Sequence, residues 1–537
     1  MMAGGGGDED TTALDGSIPM ATTTTTTTAK SRPFRIRTIT AFVNLRPGDF
    51  DEIKGDDDAE SRVAVKVERC NGVLRNLENK LVDSGYEVQT VRIATNPFGE
   101  WLTTTSTTTS TATTATTGKN DDDVDDDDGG DDRDDDGAGS TATTRWKKAK
   151  TNDDDDGKDD ANTTTSTVVG GDDEYREIRR RLLLLDSLLG TRDVGFCSLG
   201  PSTDPRHTKE LCPIIVASSG RFSCSADVES GDVAAARAAA ECMIRISILD
   251  DDYGDHVGGG LGNFRFCASS RVVTVPFFPG ARAPPVVVPP ASSSSSSSLD
   301  DESSCCDDDR VSFSIGLENG GFARCLLEEA GNIGEIKRVF DVTMRNELLP
   351  IQDVCSSFAD DGRGSDFHVR YLGIDTSLNP SLDDGGSVAD AVECLEEVRG
   401  SFGGTGSLAA AAAVTTSIQS IPGILTTGYC GLMLPVLEDR RLAELAGMVV
   451  ARSGDTRLTI DRILCISSVC GVGVDTVPIP GNVAPESLTS LILDVAALAG
   501  RWNKPLSCRV FPVPGKVSGE MTTFDSPYMC NSRVFNL

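Results

Sequence analysis

Apolar residues recur along this chain at two alternating spacings. Phe34 and Ile36 alternate with Arg35 and Arg37, as at the start of a strand. From about Ser61, the residues Val63, Val67, Cys70, Leu74, Leu77 and Leu81 share one face of a helix. Gly85 stops that helix, and Tyr86–Ile93 reads as the next strand. A second stretch predicts a helix near Glu174–Leu189, a strand at Val194–Leu199, a helix over Asp232–Leu249 and a strand at Phe264–Thr274. A third begins with the strand-like Val369–Ile374. Ser387 then caps a helix carrying Val388, Val392, Leu395 and Val398, and a further helix runs from Ser407 to about Ile418. After a strand at 471–477, Pro485 fits a first helical turn, followed by Leu488, Leu491, Ile492, Val495 and Leu498. Strands alternating with helices predict an α/β architecture with parallel pairing.

Composition interrupts this pattern. The stretches 103–171, 281–309 and 356–366 are rich in Thr, Asp, Ser or Pro and read as disordered insertions. With a disordered tail over 1–33, they leave a single α/β domain over 34–537. The net charge of −33 is uneven: between Lys119 and Asp160 there are 18 Asp against 7 Lys+Arg. The remaining acidity speaks against nucleic-acid or anionic-membrane partners, which need clustered cations. No apolar run is long enough to span a membrane. The 16 cysteines are scattered without a CxxC pair, which suits free thiols in a cytoplasmic setting. If Met20 were the start, the Thr run and Lys30, Arg32, Arg35 and Arg37 would resemble a plastid or mitochondrial transit peptide.

A short phrase occurs twice near the end of the chain. Pro478-Ile479-Pro480-Gly481 follows one apolar run, and Pro512-Val513-Pro514-Gly515 follows another, with a helical pattern between them. Both read as strand exits, with proline ending the pairing and glycine turning the chain. In α/β folds sites gather at C-terminal strand ends, a rule that selects Asp375, Glu438, Asp475, Arg509 and Lys516. Three carboxylates and two cations in one cleft could exchange protons, hold a divalent metal or bind an anion. The alternative is that they are strand-end caps and ion pairs. Gly403, Gly404 and Gly406 precede the Ala-rich helix and could offer backbone N–H groups to an anion, or could form a close-packed helix–helix turn.

The phrases Ile36–Thr40, Gly373–Leu378, Leu434–Asp439, Gly471–Gly481 and Arg509–Lys516 together resemble the DUF711 (UPF0210) family, with weaker echoes at Phe277–Pro279 and Phe313–Glu318. The resemblance implies a ten-stranded α/β barrel of the glycyl radical enzyme type, in two parallel halves. It implies no reaction, since the family is uncharacterised. The radical phrase of such enzymes is missed in Lys516-Val517-Ser518-Gly519-Glu520, where Lys stands for Arg and Glu for the aromatic residue. The chain also departs from the family at Asn482, where an acidic residue is usual.

The expectation is therefore non-radical chemistry on a small anionic metabolite. Asp375, Glu438 and Asp475 would be acid/base groups or metal ligands, Arg509 and Lys516 would bind the anion, and the three glycines would donate N–H groups. The other reading is a non-catalytic ligand-binding or regulatory protein on the same barrel. The sequence leaves cofactor, metal and a homo-oligomeric state open.

Overall fold

A computed structural model describes residues 33–51, 61–103, 171–285, 310–362, 368–447 and 458–537. The tail 1–32 and the insertion stretches 104–170, 286–309 and 363–366 lie outside the described residues. Nine strands form one sheet: β1 (Arg35–Val43), β2 (Val91–Thr95), β3 (Phe196–Ser202), β4 (Phe222–Asp227), β5 (Phe266–Ser270), β6 (Arg310–Glu318), β7 (His368–Asp375), β8 (Gly473–Pro480) and β9 (Leu506–Val513). Their order is β7-β6-β1-β2-β3-β4-β5-β9-β8. Strands β1 to β5 are mutually parallel, as are β6 with β7 and β8 with β9. The first group meets the others through two antiparallel seams, β1 with β6 and β5 with β9. The chain is thus α/β with a large, mostly parallel sheet.

The edges β7 and β8 share no ladder, but isolated parallel bridges lie between them. Ile374 bridges Thr426, Leu378 bridges Leu432, and Pro435 bridges Asp475. The apolar run Leu432–Leu437 is therefore extended chain ending in a tight turn at Val436–Glu438.

Helices cover one face of the sheet, as the periodicity requires. The helix Arg62–Asp83 buries all six residues of its predicted stripe. In Pro485–Trp502, Leu488, Leu491, Ile492 and Val495 are buried and Leu498 is partly so. The helix Ser407–Ile418 has its predicted bounds. Ser387 caps Val388–Glu393 by accepting from the Asp390 N–H at 3.0 Å. The helix Arg345–Asp361 runs through 356–361, which the sequence reads as the start of an insertion; Cys355 and Ala359 are buried on it.

The opposite face of the sheet carries small hydroxyl side chains. Thr38 and Thr40 lie 3.1 Å apart, Thr40 donates to the Pro276 carbonyl, and Ser198 donates to the carbonyls of Pro279 and Ala281. The segment 276–283 thus crosses this inner face. Ala281 and Ala283 are buried, so the beginning of the predicted 281–309 insertion belongs to the core.

The two Pro-x-Pro-Gly phrases end neighbouring strands, since Ile479 pairs with Pro512 and Pro480 with Val513. At the other end of this pair, Gly473 has φ +96° and an added Cβ would lie 2.2 Å from the Ser507 carbonyl oxygen. Gly473→Ala is expected to lose about 2 kcal/mol or more of stability, from left-handed strain and displacement of β9. Urea denaturation, compared with a Gly→Ala control at Gly72, where an added Cβ meets nothing within 4 Å, measures it.

Candidate functional site

A cavity of about 710 Å³ opens against the inner face. It is lined by the N-terminal ends of β1 to β5, the C-terminal end of β6, the first halves of β8 and β9, and the segments 277–280 and 379–383. The two antiparallel seams bring N-terminal ends of one strand group beside the C-terminal end of β6, so a rule that looks only at C-terminal ends sees part of the wall.

A chain of buried charges runs along it. Asp475 and Arg509 face each other in register on β8 and β9. Arg509 Nε donates to Asp475 Oδ1 at 2.6 Å and Nη2 to Oδ2 at 3.0 Å, a two-point fork. The same Nη2 reaches Glu438 Oε1 at 2.8 Å. Glu438 Oε2 accepts from Arg37 at 2.9 Å, and Arg37 also donates to Glu318 at 3.1 Å. Glu318 in turn binds Gln89 and Arg35, and Arg35 reaches Asp383 at the rim. Burial works against the Arg509 charge, but Asp475 and Glu438 outweigh it and hold the guanidinium above its ordinary range. Its planar face lies 5.2 Å from the Phe264 ring, which stacks on Tyr528.

Two bulges aim the members of this chain. The β1–β6 register slips between Ile36 and Thr38, leaving Arg37 as the extra residue. The β8–β9 register slips between Asp475 and Val477, where Thr476 has φ +45°. The Thr476 hydroxyl accepts the Leu437 N–H at 3.2 Å and so fixes the turn that carries Glu438.

Of the residues selected from sequence, Glu438, Asp475 and Arg509 are brought together here. Asp375 is not among the residues lining the cavity; it is fully buried and accepts from the Ser377 N–H (3.1 Å) and hydroxyl (2.6 Å), the Tyr429 N–H (2.9 Å) and the Cys430 N–H (3.1 Å). Burial raises its pKa, while these hydrogen bonds work the other way. It holds the turn before Gly431 and touches no open space. Lys516 follows the second strand exit outside the cavity wall, where its N–H bonds to the Val513 carbonyl. The three glycines also lie elsewhere. Gly403 N–H donates to Ser407 Oγ at 3.0 Å, Gly404 N–H to the Ser401 carbonyl at 3.0 Å, and a Cβ on Gly406 would meet the Glu397 carbonyl oxygen at 2.0 Å. They are a close-packed turn whose first two donors are used internally.

Arg35, Arg37, Glu318 and Arg92 were not selected from sequence. Their signal is a charged residue inside an otherwise apolar strand, Val91-Arg92-Ile93 being the plainest case. Among the described residues no group of three or more His, Cys, Asp or Glu is arranged to hold a metal ion. The cavity carboxylates turn their oxygens to guanidinium groups instead, a poor fit to the divalent metal that the sequence left open.

The family model described as an uncharacterised ACR, DUF711, matches residues 28–126 and 162–526. The chain belongs to the DUF711 family. A UPF0210 protein of Methanopyrus kandleri is 30% identical over 219 residues, 38% of this chain and 44% of the relative. One of Limosilactobacillus reuteri is 35% identical over 160 residues, 29% of this chain and 34% of the relative. One of Oenococcus oeni is 36% identical over 155 residues, 28% and 32% respectively. The chain spans less than half the length of these curated relatives in each match. The DUF711 description names no activity, ligand or partner.

For this DUF711 protein, Asp375→Asn is expected to cost about 1–3 kcal/mol, because the amide NH₂ would face N–H donors in a buried site. Denaturant unfolding checks the loss.

Proposed function

We propose that this DUF711 protein binds a small anionic metabolite in the cavity beside the Asp475–Arg509–Glu438–Arg37 chain. The observation that carries this reading is the balance of charge in the wall. Six arginines line it (Arg35, Arg37, Arg92, Arg221, Arg265 and Arg509), and two of the lining carboxylates, Glu87 and Asp383, are solvated at the rim. Inside, Glu318, Glu438 and Asp475 neutralise Arg35, Arg37 and Arg509, and Asp186 pairs with Arg221. Arg92 and Arg265 have no carboxylate partner among the described residues. An anion entering this space gains charge compensation in a site shielded from water.

The chemical part of the reading is proton exchange by Glu438. Both its oxygens accept from guanidinium groups, one from Arg37 and one from Arg509. An incoming anion that competes for Arg37 or Arg509 frees an oxygen to act as a base. Asp475 is gripped at both oxygens by one Arg509 and serves to orient it. The same pairing favours a second reading, a non-catalytic ligand-binding protein, since no lining carboxylate of this chain stands free at rest.

We also infer that the sheet closes as a ten-stranded barrel, with 426–435 as the tenth strand. The three isolated bridges from β7 to β8 support it, as does the division into two groups that meet at two antiparallel seams. Every described cysteine is a free thiol, which supports a reducing, cytoplasmic setting. No helix among the described residues is long and apolar enough to cross a membrane.

Incubation with a pool of small organic acids and phosphate esters, followed by proton NMR, tests the proposal. One component is expected to be consumed, and Glu438→Gln to slow its consumption by about 10²- to 10⁴-fold. Consumption by Glu438→Gln at the wild-type rate would remove the acid/base role. Binding without consumption in both would favour the non-catalytic reading.

A further inference from the structure

Arg92 differs from the other arginines of the wall. Its guanidinium carbon lies 5.0 Å from the Phe196 ring centroid and 5.1 Å from that of Phe278, so aromatic rings cover it. Its Nε donates to Thr90 Oγ1 at 3.0 Å, and Thr90 donates onward to the Arg37 carbonyl. That leaves the Nη1/Nη2 edge as the unused part of the fork. No carboxylate forms an ion pair or hydrogen bond with this edge among the described residues; Glu438 acts on it only through space. Burial, and then the neighbouring Arg37 charge, bring the group down to about 9.

A second polar group points to the same place. Ser223 lines the cavity, is 3% exposed, and its Oγ has no hydrogen-bond partner. The register of β2, β3 and β4 sets Arg92 beside Phe196 and Ser198 beside Ser223. Phe196 and Ser198 are two residues apart on one strand, so all four side chains share the inner face. Ser223 therefore sits two strands across and two residues along from Arg92, about 12 Å away between backbones. That gap is within reach of an arginine side chain and one bound oxyanion.

We propose that the free edge of Arg92 and the hydroxyl of Ser223 form an oxyanion subsite, which takes the carboxylate or phosphate end of the cavity's ligand. A guanidinium fork matches two oxygens of either group. The bound oxyanion would give Ser223 the acceptor it lacks and Arg92 the countercharge it lacks. The subsite lies on β2 and β4, across from β8, so the ligand's far end would extend toward Glu438. This inference rests on the cavity taking an anion, but not on Glu438 acting as a base.

The test is thermal unfolding of the full chain in sodium phosphate and in sodium acetate, each against sodium chloride at equal ionic strength. One or both anions are expected to raise the wild-type Tm by about 2 °C or more over chloride. A larger shift with phosphate points to a phosphate ester, and with acetate to a carboxylic acid. Arg92→Met is expected to abolish the shift. Arg92→Lys, which keeps the charge but not the fork, and Ser223→Ala are each expected to weaken the anion about three- to tenfold. Lys516→Ala, outside the cavity wall, is expected to leave the shift unchanged. If Arg92→Met does not fold, the other two variants carry the test. A shift that persists undiminished in the Arg92 and Ser223 variants overturns the subsite and leaves anion binding elsewhere in the cavity. Absence of any anion-specific shift in the wild type overturns both the subsite and the anionic reading of the cavity.

Discussion

The buried fork between Asp475 and Arg509 is the constraint on which the site depends. Two charges withdrawn from water lose several kcal/mol each in hydration, and only close, multiple contacts return it. Here the return requires β8 and β9 in one register, the 436–438 turn seated against Thr476, and β1 brought alongside with its bulge at Arg37. No part of this chain of charges is satisfied by a single element. Loss of one of its buried members, Asp475, Glu438 or Arg509, leaves a neighbour charged and buried, a penalty of about 3–5 kcal/mol. The network therefore ties both strand groups together while it shapes the cavity wall.

The rest of the interior follows from the same division of faces. The outer face of the sheet packs Ile36, Ile39, Ile93 and their neighbours under helices, where apolar area supplies the stability. The inner face is given to Thr38, Thr40, Ser198, Ser223 and Ser225, which cannot pack as a dry core. Segment 276–283 meets some of these hydroxyls with its carbonyls. Ser223 and Ser225 stay unmet. Such unmet groups are a cost to the fold, and at Ser223, which lines the cavity, a ligand is a means of offsetting it.

Local pattern carried much of the architecture. The helix stripe from Val63 to Leu81 could be read because residues three and four apart must share a face whatever surrounds them. The cap at Ser387 and the bounds of Ser407–Ile418 were equally local. The helices at Pro205–Ser218 and Gly320–Ala330 and the strand at β4 were not separately predicted, because short apolar runs do not distinguish a buried strand from a buried helix. Part of the site was legible as well: the strand-end rule picked out Glu438, Asp475 and Arg509, although only Glu438 stands at a turn and the other two lie in the first halves of β8 and β9. Asp375 looked the same in sequence, yet folding surrounds it with four donors and makes it a brace.

The sequence by itself therefore determined the alternation of helices and strands, the two proline exits, and the family. Those depend on spacing and on residue type, both local quantities. Only the tertiary structure decided which charges meet. Arg37 and Glu438 are 401 residues apart in the chain, and nothing in either neighbourhood encodes the other. Their meeting is fixed by the antiparallel seam between β1 and β6 and by two single-residue bulges, which turn side chains inward at positions that the strand period alone does not identify.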